Sequence, residues 1–296
     1  AAAAGEGMRP GVMGRLGLGP EVCLGRTPQL VFGRMTGWGQ DGPMSHLAGH
    51  DMNYIGMSGA LWHASLPGQP PMAPPTLIGD VGGGALYLAL GVLAGVFNAR
   101  QTGTGTVVDA AIFDGSANMM NLLMTIAQTG GFSTERGQSL LDGPHWCRTY
   151  ETADNGFMSV QCLEPKFYQI FLGVLGLQDD PDFAHQFDKS LWPALTARLE
   201  TIFASRTREA WQAEFANSDS CVAPVLTPEQ AHAHQMNDAR KIWHAQNGVF
   251  QAAPAPRFSQ APEWTPVPVA ERGAHTQDIL DELGLSSGAT PTDSHK

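Results

Sequence analysis

The chain has 296 residues, 43% of them apolar, and its 17 basic and 28 acidic side chains give a formal charge of −11. This length and apolar content suffice for one large hydrophobic core or two modest ones. The acidic excess disfavours nucleic acid or an anionic membrane as the main partner, because both select clustered Lys and Arg. The four cysteines are widely spaced, which indicates neither a zinc site nor a disulfide framework. A reducing cytoplasm is the expected location.

The first third predicts an α/β layer. No charged segment leads into an apolar run at the amino terminus, so no signal peptide is predicted. Four alanines in place of an initiator methionine indicate an artificial or a truncated start. Short apolar runs at residues 30–32, 76–78 and 106–109 predict strands. Helical patterns between and after them predict parallel pairing of these strands.

Residues 81–99 are uncharged over 19 positions and contain a Gly-x-x-x-Gly spacing. The stretch is only just long enough to cross a bilayer, and its five glycines reduce its hydrophobicity. We therefore predict a helix buried inside a globular protein.

The composition changes after residue 130 and predicts a second, α+β part. Asp154-Asn155-Gly156 separates two strand-like runs and indicates a hairpin, because Asn-Gly tolerates the positive φ of a tight turn. Thr227 precedes Pro and stands three residues before Gln, as in a capping box. A proline-spaced connector leads to a last helix near 276–283 and a polar tail. The predicted layout is a large domain (1–112), a linker helix (113–140), a small domain (141–245) and a returning connector with a helix (246–296).

Asp80 ends the run at 76–78 and is followed by Gly82, Gly83 and Gly84. One interpretation is a helix N-cap, which Asp favours because its carboxylate accepts a first-turn N–H. The other is an acid or base beside exposed N–H groups at a helix start, where negative charge is stabilised. The residues alone leave both open.

Three other features have a structural and a chemical interpretation. His50 is followed by Asp51, and Glu164 precedes a helix start at Pro165; a lone His or such a Glu is more often structural. The pairs His46 with His50 and His232 with His234 lack a third ligand, so no metal is predicted. Residues 1–40 contain four arginines and two glutamates. This local excess of positive charge suits a phosphate, although scattered arginines are more often ordinary surface residues. These arginines are Arg9, Arg15, Arg26 and Arg34.

Seven segments together resemble the family III CoA-transferases (CaiB/BaiF), in the branch that contains racemases. They are RPGVMGRLGLGP (9–20), RMTGWGQDGP (34–43), AGHDMNYIGMSG (48–59), IGDVGGG (78–84), TGTGTVVDAAIFDG (102–115), LDGPHWCRTYETADNGFMSV (141–160) and LEPKFY (163–168). The resemblance runs to GAHTQDILDELGLS (273–286) and so covers nearly the whole chain. It implies an interlocked homodimer in which a Rossmann-like large domain, here shortened at its amino terminus, binds CoA under the small domain of the other subunit.

The resemblance also implies the reaction and its residues. His50 with Glu164 would be the base on one face of the α-carbon of a 2-methylacyl-CoA thioester, and Asp80 the acid on the other. The shared aspartate carries the acyl group in the transferases, whereas the histidine and glutamate mark the racemase branch. No cofactor is implied beyond CoA itself, which is part of the substrate. Positions matching the CoA site are Arg15, Gly49, Asp51, Asn53, Tyr54, Thr76, Gly82 and Gly83.

Racemisation suits these residue types, because two bases in unequal environments can remove a proton and return one to the opposite face. N–H groups at Gly82 and its neighbours would meet the enolate charge. Two departures from the family stand out: Thr76 replaces an asparagine, and the opening βα units are missing. The alternatives are a CoA-transferase working through an anhydride on Asp80, and a non-catalytic CoA-binding subunit or inactive fragment.

Overall fold

The computed structural model describes residues 1–246 and 248–285. The chain divides into two compact units, Ala1–Val225 and Leu226–Lys296. The layout predicted from the sequence has its limits at 112, 140 and 245, and it stays a prediction.

A parallel three-stranded sheet forms the base of the first unit. Its strands are β1 (Ala3–Glu6), β2 (Val31–Thr36) and β3 (Thr106–Ala111), with β2 in the centre. The short helices α1 (Val12–Arg15) and α2 (Pro20–Arg26) connect β1 to β2. The strands predicted at 30–32 and 106–109, and their parallel pairing, are confirmed. The central strand is the most buried because it is paired on both edges.

The crossover from β2 to β3 contains three helical segments. These are α3 (Asp51–Ser58), a nine-residue π-helix (Leu77–Ala85) and α4 (Leu86–Thr102). The strand predicted at 76–78 is wrong, because the chain enters the π-helix at Leu77. A short apolar run of this kind fits a buried strand and a buried helix equally well.

Helix α4 lies on the sheet through small residues. A Cβ atom at Gly91 would come within 2.7 Å of Val108 Cγ1, and one at Gly95 within 2.9 Å of Val31 Cγ1. The backbone of α4 therefore approaches β2 and β3 more closely than larger residues would allow.

The opposite face of α4 is uncovered, so the prediction of a buried helix holds for one face only. Four large side chains there are 62–68% exposed: Leu86, Leu90, Leu93 and Phe97. The continuous helical segment Leu77–Thr102 is long and apolar enough to cross a membrane, judged by length and composition alone, and 17% of its most apolar window is buried.

Helices α5 (Ile112–Met119) and α6 (Asn121–Ala127) follow β3 and lead into an irregular segment. Arg136 ties that segment to the loop before the π-helix. Its Nε lies 3.0 Å from Asp142 Oδ2, and its Nη2 donates to the carbonyl oxygens of Ala64, Ser65 and Leu66.

An antiparallel sheet follows, with strands β4 (Cys147–Glu151), β5 (Phe157–Gln161) and β6 (Val222–Val225). The predicted hairpin is confirmed, with Asn155 at φ 56°. Helices α7 (Pro165–Leu175), α8 (Trp192–Phe203) and α9 (Arg208–Phe215) pack with the sheet around an aromatic core. Its fully buried aromatic members include Trp146, Tyr150, Tyr168, Phe171 and Phe203.

The second unit contains α10 (Pro228–His232), α11 (Gln235–Arg240), the hairpin β7 (Trp243–Gln246) and β8 (Val249–Ala252), and α12 (Thr276–Glu282). The predicted capping box at Thr227 is confirmed by reciprocal hydrogen bonds with Gln230. The predicted last helix is confirmed as α12, and the polar tail from residue 286 onward lies outside the described residues.

Candidate active site

His50 stands at the N-cap of α3 on an exposed turn. Its extended backbone lets the N–H group donate to Asn53 Oδ1 at 3.0 Å. The turn depends on Gly49, because a Cβ atom there would lie 2.7 Å from the Tyr54 ring. His50 is therefore an exposed residue on a turn that Gly49 and Asn53 stabilise.

The buried Tyr54 stabilises the turn that contains Gly49 and His50. Its hydroxyl donates to the carbonyl oxygen of Gly49, and its ring meets Trp38 edge-on with the centroids 4.7 Å apart. Burial, and then the charge of Asp80, raise the pKa of Tyr54. Asn53 and Tyr54 thus already bond to the turn that holds His50, and contact of either with CoA stays a prediction.

Asp80 lies inside the π-helix as its fourth residue, so the N-cap interpretation is wrong. The N-cap is Thr76, which has the left-handed conformation (φ 74°) and accepts a hydrogen bond from Val81 N–H. π-Helical turns are rare and are found frequently at functional sites. The Asp80 side chain belongs to a partly exposed residue, so a ligand can reach it.

Asp51 joins the turn of His50 to the π-helix. Its Oδ1 accepts hydrogen bonds from the backbone N–H groups of Gly79 and Asp80, at 2.7 and 2.8 Å. The pKa of Asp80 is raised by burial and by the negative charge of Asp51, while His50 opposes the shift. His50 and Asp80 are therefore close enough to interact, with one buried carboxylate between their backbones.

The glycine run after Asp80 allows close packing against α5. A Cβ atom at Gly83 would lie 2.5 Å from Ser116 Oγ, and one at Gly84 would lie 2.8 Å from Ile112 Cγ1. Gly82 is half-buried beside Met119. In a π-helix each N–H bonds to the carbonyl five residues back, so these N–H groups belong to the helix. The expectation that they meet an enolate is not supported by this geometry.

The arginine group near the amino terminus is smaller than the sequence indicates. Arg34 forms a part-buried ion pair with Glu6 at 2.9 Å. Arg9, Arg15 and Arg26 are exposed, with Arg15 at the end of α1. Three arginines are therefore accessible to an anion.

Glu164 is the N-cap of α7, and no hydrogen bond or ion pair within the described part of the chain links its side chain to His50 or Asp80. Burial, and to a smaller extent the charge of Glu164, raises the pKa of Cys162 and of Cys221. The structure thus brings together two of the three predicted catalytic residues. Across the described ranges, no group of three or more His, Cys, Asp or Glu side chains is arranged to hold a metal ion.

The family resemblance places Asp51 among the CoA contacts and does not indicate its hydrogen bond to Asp80. Asp51 is only 3% exposed, and its carboxylate faces the π-helix. An aspartate next to an exposed histidine at a helix start gives no local sign of a partner 28 residues away.

Comparison with known proteins identifies the family. The family model described as CoA-transferase family III matches residues 2–276. The chain is a member of CoA-transferase family III. This confirms the resemblance drawn from the seven segments and the expected fold class.

Two curated relatives of this family III chain are named alpha-methylacyl-CoA racemase. The mouse protein (Mus musculus) is 37% identical over 287 residues, which cover 95% of this chain and 74% of the relative. The human protein is 36% identical over the same coverage. A solved structure of a CaiB/BaiF family protein from Brucella suis superposes with a TM-score of 0.78 at 24% identity, covering 96% of this chain and 75% of that one. At that identity the structural likeness shows the fold alone.

Proposed function

We propose that this chain is an isomerase that interconverts the (2R) and (2S) forms of 2-methylacyl-CoA thioesters. The observation that carries the proposal is the pairing of His50 and Asp80 through Asp51, which holds an imidazole and a carboxyl group at one site. The names of the mouse and human relatives support the same reaction.

The two groups suit proton transfer at an α-carbon. His50 is exposed and supplies an imidazole, a common general base, whereas the raised pKa of Asp80 favours its protonated form. In one direction His50 takes the α-proton and Asp80 delivers its own proton to the opposite face. The product has inverted configuration, and the enzyme is left with a charged pair that catalyses the reverse reaction.

The start of α3 supplies a donor for the enolate oxygen. The first N–H groups of a helix have no acceptor inside it, and α3 begins at Asp51, directly after His50. The Asp51 N–H therefore suits the negative charge that develops on the thioester oxygen. In this proposal α3 replaces the glycine run as the oxyanion site.

The proposed substrate is held as a CoA thioester without a further cofactor. Arg15, exposed at the end of α1, is suited to a CoA phosphate, and Gly82 and Thr76 lie on either side of Asp80 along the chain.

Glu164 enters the site from a second copy of the chain in this proposal. Within one chain Glu164 bonds to neither His50 nor Asp80. In a homodimer, the Glu164 carboxylate of one copy would orient the His50 imidazole of the other. The uncovered face of α4 supports association, because four exposed apolar side chains in one stripe are unusual for a monomer.

Incubation of the protein with a single epimer of a 2-methylacyl-CoA in D₂O tests the reaction. We expect deuterium at the α-carbon and drift toward a mixture of epimers, because racemisation must break that C–H bond. The Asp80→Asn variant, which cannot exchange a proton at this position, is the matched control.

The alternative is a CoA-transferase that forms an anhydride on Asp80. CoA-transferase activity is named in other relatives, among them an acetyl-CoA:oxalate CoA-transferase of Acetobacter aceti that is 27% identical over 253 residues, covering 83% of this chain and 64% of that protein. Acyl transfer to an added acid, with an Asp80 adduct trapped by hydroxylamine and no α-deuterium, would establish this alternative. CoA binding with neither activity would indicate a non-catalytic subunit.

Sedimentation velocity tests the assembly. We expect a dimer at micromolar concentration and its loss in a variant with Leu90→Asp and Leu93→Asp. A monomer that instead floats with phosphatidylcholine vesicles would overturn the dimer proposal.

A further inference from the structure

We propose that Asp51 is a positioning residue for Asp80, whose buried carboxylate fixes the turn of the π-helix that presents Asp80 to the substrate. The inference rests on the proposed function and gives the Asp51 side chain a role distinct from that of its backbone N–H group.

The hydrogen bonds of the Asp51 carboxylate are the main observation behind this inference. Both hydrogen bonds of Oδ1 go to the π-helix, one to Gly79 N–H at 2.7 Å and one to Asp80 N–H at 2.8 Å. An aspartate in the first turn of a helix ordinarily stabilises that helix's own N–H groups. Here the side chain of the first residue of α3 instead holds a segment 28 and 29 residues away.

The contact is built into the packing around it. A Cβ atom at Gly79 would lie 2.6 Å from Asp51 Oδ1 and 2.9 Å from Ile55 Cγ2, so only glycine lets the carboxylate reach the backbone. Asp51 is 3% exposed, and its Oδ2 is buried without a hydrogen-bond partner in the described part of the chain.

The negative charge of Asp51 acts on the neighbouring carboxyl group of Asp80. Around Asp80, the titratable groups on α3 and its N-cap are His50, Asp51 and Tyr54, and both Asp51 and His50 act on the pKa of Asp80. The negative charge of Asp51 favours the protonated form of Asp80, which is the form that delivers a proton.

The charged groups on the other packed elements act elsewhere. Asp114 on α5 and Arg34 on β2 influence the pKa of Asp109 on β3. Asp114 therefore serves as a control, since it lies on a helix packed against the π-helix without a resolved effect on Asp80.

Two substitutions of Asp51 separate the effect of its hydrogen bonds to the π-helix from the effect of its negative charge. Asp51→Asn keeps an amide oxygen that accepts both N–H bonds and removes the charge. We expect α-proton exchange to survive, with the limb of its pH profile that reports Asp80 moved to lower pH in both directions of the reaction. Asp51→Ala removes the acceptor, and we expect exchange to fall about 100-fold because misplacement of a catalytic group by about 1 Å has that effect. Asp114→Asn should leave rate and profile unchanged.

A readout independent of activity accompanies these assays. The ¹³C resonance of the Asp80 carboxyl group, assigned by its loss in Asp80→Asn, is titrated in wild type, Asp51→Asn and Asp114→Asn. We expect the Asp80 midpoint to fall in Asp51→Asn alone. An unchanged midpoint, or equal loss of exchange in Asp51→Asn and Asp51→Ala, would overturn the inference. Absence of exchange in the wild type with the expected midpoint shift would refute the proposed reaction while supporting the link between the two carboxylates.

Discussion

A Cβ atom at Gly115 would lie 1.8 Å from the carbonyl oxygen of Gly83, so α5 and the π-helix touch backbone to backbone. No side chain larger than hydrogen fits there unless the two helices separate. The position of Asp80 therefore depends on a glycine that lies outside its own helix.

Gly115→Ala should destabilise the protein by about 3 kcal/mol, the upper range for overpacking, because backbone atoms cannot yield as a side chain does. Gly173→Ala in α7 is the matched control, since nothing lies within 4 Å of its added Cβ atom. That change should raise stability by about 0.5–1 kcal/mol. Urea unfolding of both variants checks the pair, and equal midpoints would contradict the packing argument.

Thr76→Asn should stabilise the protein. Thr76 occupies the left-handed region at φ 74°, which a β-branched residue adopts at a cost and which Asn adopts far more readily. We expect a gain of about 1 kcal/mol, measured as a shift of the thermal unfolding midpoint. Thr76→Val keeps the β-branch and should give no gain. An Asn variant no more stable than the Val variant would show that the strain is relieved in another way.

His145 should make stability depend on pH. Burial, and then the charge of Arg148, lower its pKa from 6.5 to about 3, and its Nε2 lies 2.7 Å from Tyr168 Oη. Between these two values the unfolded chain binds a proton that the folded chain does not. Stability from this group is therefore complete above pH 6.5 and decreases as the pH falls toward 3, by about 1.4 kcal/mol at pH 5.5.

Unfolding free energies of wild type and His145→Gln at pH 7.5 and 5.5 test this dependence. The variant should lose part of the wild-type decrease between the two pH values. His46→Gln, at an exposed position, should retain all of it. The same pH response in all three proteins would mean that other groups cause the decrease.

The proposed reaction predicts a difference between the two epimers. If His50 and Asp80 serve opposite faces, His50→Ala should impair exchange from one epimer more than from the other, and Asp80→Ala should show the reverse bias. Glu164→Gln should reduce activity less than His50→Ala, because Glu164 orients the base without taking the proton. Deuterium incorporation from each pure epimer measures this, and equal losses in both variants would remove the basis for assigning faces.

Local patterns account for the parts of the fold that the sequence predicted. The alternating strands around Asn155 and the cap at Thr227 depend on residues within a few positions of each other, and both were predictable. The π-helix was not, because Leu77 and Ile78 form an apolar run too short to distinguish strand from helix. Its form depends on contacts with α5 that no local pattern encodes.

The sequence predicted which residues belong to the site, but it did not predict the hydrogen bonds between them. Asp80 and His50 stood out by their neighbours, whereas the bond from Asp51 to the backbone at residues 79 and 80 joins segments far apart in the chain. Whether Glu164 meets the two other predicted catalytic residues is likewise decided by tertiary and quaternary structure.

The uncovered face of α4, a stripe of exposed apolar side chains, links the association of two chains to the folding of each. Each of its four large side chains, about two thirds exposed, would contribute about 1–2 kcal/mol on full burial, a large amount in total beside the net stability of a domain. If a second copy covers the stripe, folding and association share one equilibrium, and the population of native chains obeys mass action. The thermal midpoint should then rise with protein concentration, so dilution alone would act as a denaturant.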